Sequence, residues 1–107
     1  MIRNKRKDQW MNPDTDALFA AILSLRSKDE AKKFFRDLLT EVELMEFGNR
    51  WRAARLLTEK TPYAEIGLQT GLSSATIARV KRWLDRGMGG YEFMLKRTGK
   101  YRPESKE

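Results

Sequence analysis

Four helix-start signals recur along the chain, and no stretch alternates apolar and polar residues as a strand would. Asn12-Pro13 sets a capping residue before a proline at the first turn, with Asp14 and Asp16 at the positive end of the helix dipole. Ser27-Lys28-Asp29-Glu30 and Thr40-Glu41-Val42-Glu43 read as capping boxes. Thr61-Pro62 repeats the cap-then-proline start. Between them fall the tight turn Gly71-Leu72-Ser73 and the helix stop at Gly87, Gly89 and Gly90. These marks predict six short-linked helices: from Asn12-Pro13, from Ser27, from Thr40 to about 58, and then about 62–70, 74–86 and 91–97. The expected class is all-α.

The apolar spacing fits that division. Leu18, Ile22 and Leu25 share a face, with Phe19 and Leu23 beside it, and Ser27 is expected to end this helix and cap the next. Ala31, Phe34, Phe35, Leu38 and Leu39 follow helical spacing. In the third helix Leu44, Phe47, Trp51 and Ala54 form a stripe, while Val42, Met45 and Leu56 lie off it. A helix apolar on more than one side is buried on more than one side, so this one is expected at the centre or at a dimer interface.

Composition narrows the function. Lys and Arg number 22 against 15 acids, for a net charge of +7, with 35% charged and 40% hydrophobic residues. Such a chain can bury a core only thinly, and a second subunit is expected to complete it. Cysteine and histidine are absent, which removes disulfides, thiolate zinc sites, the usual general base and the usual nucleophilic triads. No catalytic residue, metal ligand set or cofactor is therefore expected, and Gly87-Met88-Gly89-Gly90 lacks the Gly-Lys-Ser/Thr ending of a phosphate loop. No apolar run could cross a bilayer, and no apolar signal segment follows the basic start, so a soluble cytoplasmic protein is expected. The charge favours a polyanion, nucleic acid first and an anionic membrane surface second. Residues 1–11 read as a basic N-terminal tail, 12–97 as a helical domain and 98–107 as a polar C-terminal tail.

Residues 61–84 match a helix-turn-helix, within a segment of about 61–86. Two helices crossing steeply over a short turn need a small residue at their approach, where Gly67 sits, and a residue tolerant of positive φ, where Gly71 sits. Ile66, Leu72, Ile77 and Val80 have the spacing to close a small core, whereas Thr70 stands where an aliphatic residue is usual. The helix from Ser74 is then the recognition helix, presenting Ser73, Ser74, Ala75, Thr76, Ala78, Arg79 and Arg82. Serine suits bases or phosphate, alanine a thymine methyl, and Arg79 or Arg82 guanine, while Lys81 and Arg86 suit phosphates.

The run Thr40-Glu-Val-Glu-Leu-Met-Glu-Phe-Gly-Asn-Arg50-Trp-Arg, followed by Gly71-Leu-Ser-Ser-Ala-Thr-Ile-Ala-Arg79, resembles the Trp repressor family. In style it is closest to the YerC/YecD branch, the Trp-repressor-related proteins of Gram-positive bacteria. The resemblance spans about residues 13–95. It implies a six-helix Trp-repressor-like fold in an intertwined homodimer, with the helix-turn-helix as reading head. It also implies a transcriptional regulator, as a repressor, that binds a palindromic double-stranded operator.

The resemblance further implies a corepressor pocket lined by Thr40, Arg50 and Arg79. Where the family's repressor has glycine and serine, this chain has Val80 and Trp83. These two are expected to fill the pocket from within, so that tryptophan is not needed. The remaining alternatives are a regulator gated by another small-molecule effector, and a basic RNA-binding or interaction module without DNA specificity.

Overall fold

The computed structural model describes residues 8–99. Among them are six α-helices and no strand: α1 (Pro13–Leu23), α2 (Lys28–Leu38), α3 (Glu41–Thr58), α4 (Tyr63–Thr70), α5 (Ser74–Arg86) and α6 (Gly90–Arg97). The all-α class is as expected from the start signals. The outermost parts of both expected tails, 1–7 and 100–107, lie outside the described residues. The chain divides into two compact units that meet in sequence between Glu41 and Val42.

The first unit holds α1 and α2. Asn12 caps α1 reciprocally: its Oδ1 accepts from the Thr15 N–H at 2.9 Å, and the Thr15 hydroxyl accepts from the Asn12 N–H at 3.1 Å. The helix stops at Leu23 with Ser24 as its C-cap, three residues before the expected stop at Ser27. The Ser24 hydroxyl bonds back to the Ala21 carbonyl at 2.7 Å and closes the end early. Ser27 does cap α2, accepting from the Glu30 N–H at 3.1 Å. The Glu30 carboxylate, however, accepts from the Arg26 N–H at 2.8 Å rather than from the cap residue, so the expected box is shifted by one. Leu39, expected to continue α2, is its extended C-cap with φ −119° and ψ 152°. No residue of α1 or α2 is buried, and Phe19, expected at core spacing, is 49% exposed.

The second unit has a true core. Ala53 and Ala54 of α3, Ile66 of α4, and Ile77 and Val80 of α5 are buried together. Trp51, Leu56, Leu57, Leu72, Tyr91 and Leu95 pack around them. The alanine pair matters because a methyl group holds two helices closer than a longer side chain allows. Phe47, expected in the same stripe as Ala54, is 49% exposed. It lies nearly two turns earlier on α3, away from the buried Ala53–Ala54 segment.

Local chemistry shapes the α4–α5 turn. Pro62 is itself the N-cap of α4, in extended conformation, and no side chain caps that end, so Thr61 does not play the expected role. Thr70 is buried, and its hydroxyl donates to the Ile66 carbonyl at 2.8 Å and accepts from the Leu72 N–H at 3.2 Å. The departure from an aliphatic residue is thus fully satisfied and ties helix to turn. Gly71 follows with φ 77°, in the left-handed region. Gly67 is less constrained than its place at the helix approach implies. A Cβ there would make ordinary contacts with the Leu72 carbonyl oxygen at 3.5 Å and Ile77 Cδ1 at 3.9 Å.

The two glycines should therefore respond oppositely to alanine. In thermal denaturation Gly71→Ala is expected to destabilise by about 1–2 kcal/mol, the cost of a left-handed L-residue. Gly67→Ala is expected to stabilise by up to about 1 kcal/mol through helix propensity.

Candidate nucleic-acid interface

The outer face of α5 is set by its cap and its core. Ser73 Oγ accepts from the Thr76 N–H at 3.1 Å and lies 3.1 Å from the Thr76 hydroxyl, which fixes where the helix begins. Thr76, expected among the DNA-facing residues, is half-buried in this cap. Ile77 and Val80 point into the core, with Leu84 half-buried behind them. Helical geometry then turns Ala75, Ala78, Arg79, Arg82 and Arg86 outward, and all are exposed, as are Ser73 and Ser74 at the front.

The cations on this helix are not equivalent. Lys81 Nζ sits 3.0 Å from the Asp85 carboxylate, so part of its charge is already answered. Arg79, Arg82 and Arg86 make no ion pair among the described residues. Three free guanidiniums beside a smooth front of serine and alanine can approach a polyanion closely and donate bidentately.

The residues expected around a corepressor pocket differ in their exposure and surroundings. Thr40 is exposed, directly before α3, and belongs to the first unit. Val80 is wholly buried in the core. Trp83 is 38% exposed, and the Arg50 guanidinium lies 5.8 Å from its ring centroid. Arg50 also pairs with Glu46 at 3.0 Å, while its buried Nε makes no hydrogen bond among the described residues. Arg79 points outward and is exposed. The structure therefore joins Arg50 to Trp83 and assigns Val80 to the interior.

Beside Trp83 runs an apolar groove of about 550 Å³, lined by Trp51, Trp83, Met88, Tyr91 and Met94. Trp51 and Tyr91 stack at 6.3 Å with planes 19° apart. Burial raises the Tyr91 phenol above its ordinary pKa, and the nearby Arg50 charge pulls it partly back.

One further arrangement was not foreseen from the sequence. The Arg52 guanidinium donates to Gln69 Oε1 at 2.6 Å, and Gln69 Nε2 donates to the Glu65 carboxylate at 3.0 Å. This chain of bonds links the central helix to the first helix of the head. The Glu65–Gln69 spacing is readable on a helix, but Arg52 is 17 residues away from Gln69 and gives no local signal.

No group of side chains suited to hold a metal occurs among the described residues, and no described helix is long and apolar enough to cross a membrane. The Trp repressor protein family model matches residues 13–99. The uncharacterized protein YerC of Bacillus subtilis (strain 168) is 41% identical over 98 residues, covering 92% of this chain and 94% of that one. The crystal structure of a TrpR like protein from Eubacterium eligens ATCC 27750 superposes with a TM-score of 0.82 at 39% identity, over 86% of this chain and 95% of that one. In family model, relative and solved structure alike, the match runs through the central helix and the helix-turn-helix, and the chain belongs to the Trp repressor family.

Proposed function

We propose that the protein is a sequence-specific regulator of transcription, a repressor, that binds double-stranded DNA as a homodimer in the bacterial cytoplasm, at the nucleoid when bound. The observation that carries this reading is the outer face of α5, with its small front and three unpaired arginines. Its front residues lie against the major groove, and Arg79 and Arg82 contribute charge and base contacts. Membership of a family of DNA-binding regulators supports the same assignment. The dimer is supported by α1 and α2, which bury nothing in the single chain although they carry Phe19, Leu23 and Leu38 exposed.

The regulator works without tryptophan. Val80 fills the head core, and Trp83 presents an indole to Arg50, so the protein supplies from within what a corepressor would bring. A differently shaped effector at the groove beside Trp83 is the second reading, favoured by the apolar lining there.

Selection from a random duplex pool at near-physiological salt, without ligand, should enrich a palindrome. Arg79→Ala should weaken binding to the enriched site by about 1–3 kcal/mol, the worth of a bidentate base contact. Failure to enrich any sequence would remove the ligand-independent regulator reading and leave the effector-gated one. The unfolding midpoint should rise over a hundredfold increase in protein concentration, as an obligate dimer requires, and a constant midpoint would exclude it. Calorimetry with L-tryptophan should give no micromolar binding, and heat at that affinity would overturn the tryptophan-independent reading.

A further inference from the structure

The outer strip of α5 contains one arrangement twice. Ala75 is followed one turn later by Arg79, and Ala78 one turn later by Arg82. All four are exposed. Side chains on a helix lean toward its N-terminus, so each arginine arches back over the turn occupied by its alanine. Neither arginine is held elsewhere, since among the described residues neither has an ion pair, while the neighbouring Lys81 is tied to Asp85 at 3.0 Å. Each pair thus sets a methyl group and a free planar donor fork side by side.

We infer that the two pairs, Ala75 with Arg79 and Ala78 with Arg82, each read a thymine and an adjacent guanine in the major groove. The inference rests on the DNA-binding reading above. The chemistry matches at both ends of each pair. The thymine C5-methyl is the apolar feature of the major groove, and guanine O6 and N7 form the acceptor pair suited to a guanidinium. Three residues separate the pairs, about 4.5 Å along the helix, more than the roughly 3.4 Å between successive base pairs, so the two pairs address different base steps. Arg86, a turn beyond Arg82 and with no alanine before it, falls to the phosphate backbone.

The test uses the full-length protein and the duplex enriched by selection. Replacing individual thymines of the half-site by deoxyuridine removes one methyl group and changes nothing else in the pairing. At the thymines read by Ala75 and Ala78 this should weaken binding roughly fourfold each, as loss of one buried carbon does. Replacing the neighbouring guanines by 7-deazaguanine, which removes one of the two acceptors, should weaken binding roughly fivefold or more. Arg79→Ala and Arg82→Ala should relax preference at two different guanines, and Ala75→Ser and Ala78→Ser should abolish the uracil effect at one thymine each. An enriched palindrome whose binding ignores both base changes would overturn this inference while leaving the ligand-independent regulator reading intact. No enriched sequence at all would overturn both. Loss of affinity in Arg79→Ala and Arg82→Ala that is equal on all duplexes would make both arginines phosphate contacts and overturn the guanine half.

Discussion

The second unit depends on one buried cluster in which two adjacent alanines of α3 meet the helix-turn-helix. Ala53 and Ala54 present methyl groups where Ile66, Ile77 and Val80 converge, and all five are buried. A larger residue on α3 would force the head outward, because a packed core has little free volume to absorb it. The rest follows from this contact. With Ile77 and Val80 fixed inward, the opposite face of α5 has to be Ala75, Ala78 and the arginines. The polar links are arranged around it: Arg52 to Gln69 on one side, and the Thr70 hydroxyl in the turn.

The same contact accounts for the place of Val80. A valine at position 80 belongs to the interior of the head, so its branched side chain reinforces the α3–α5 contact. The tryptophan at position 83 is on the flank, where an arginine of the central helix covers part of its face. One side chain serves packing and the other lies at the surface, although the two are three apart in sequence.

Much of this was legible in the residues. The caps at Asn12 and Ser27, the left-handed Gly71, and the inward set Ile66, Leu72, Ile77 and Val80 depend on neighbours within a turn or two, which spacing records well. The outward face of α5 follows from the same periodicity. What escaped depends on partners distant in sequence or on competition between local bonds. Ser24 ends α1 before Ser27 can, and Glu30 chooses the Arg26 N–H. The Trp51–Tyr91 stack and the Arg52–Gln69 bond join separate helices, and neither residue type nor spacing announces them. Phe19 and Phe47 have core spacing but remain half-exposed, because periodicity shows that a face is apolar and not which surface covers it.

Gly87 bears on how α5 and α6 can be joined. Its N–H bonds the Trp83 carbonyl at 2.8 Å, and a Cβ at this position would overlap that same oxygen. The helix therefore has a hard stop, and the phase at which the chain leaves it is quantised. One residue inserted ahead of the stop would swing the exit by about 100°, a single helical step. Tyr91 would then be carried off the face of Trp51, and the aromatic wall of the groove would come apart. Changes in length are absorbed cheaply in surface loops, but between Ala75 and Gly87 they act as a rotation, with every contact of α6 as the lever arm.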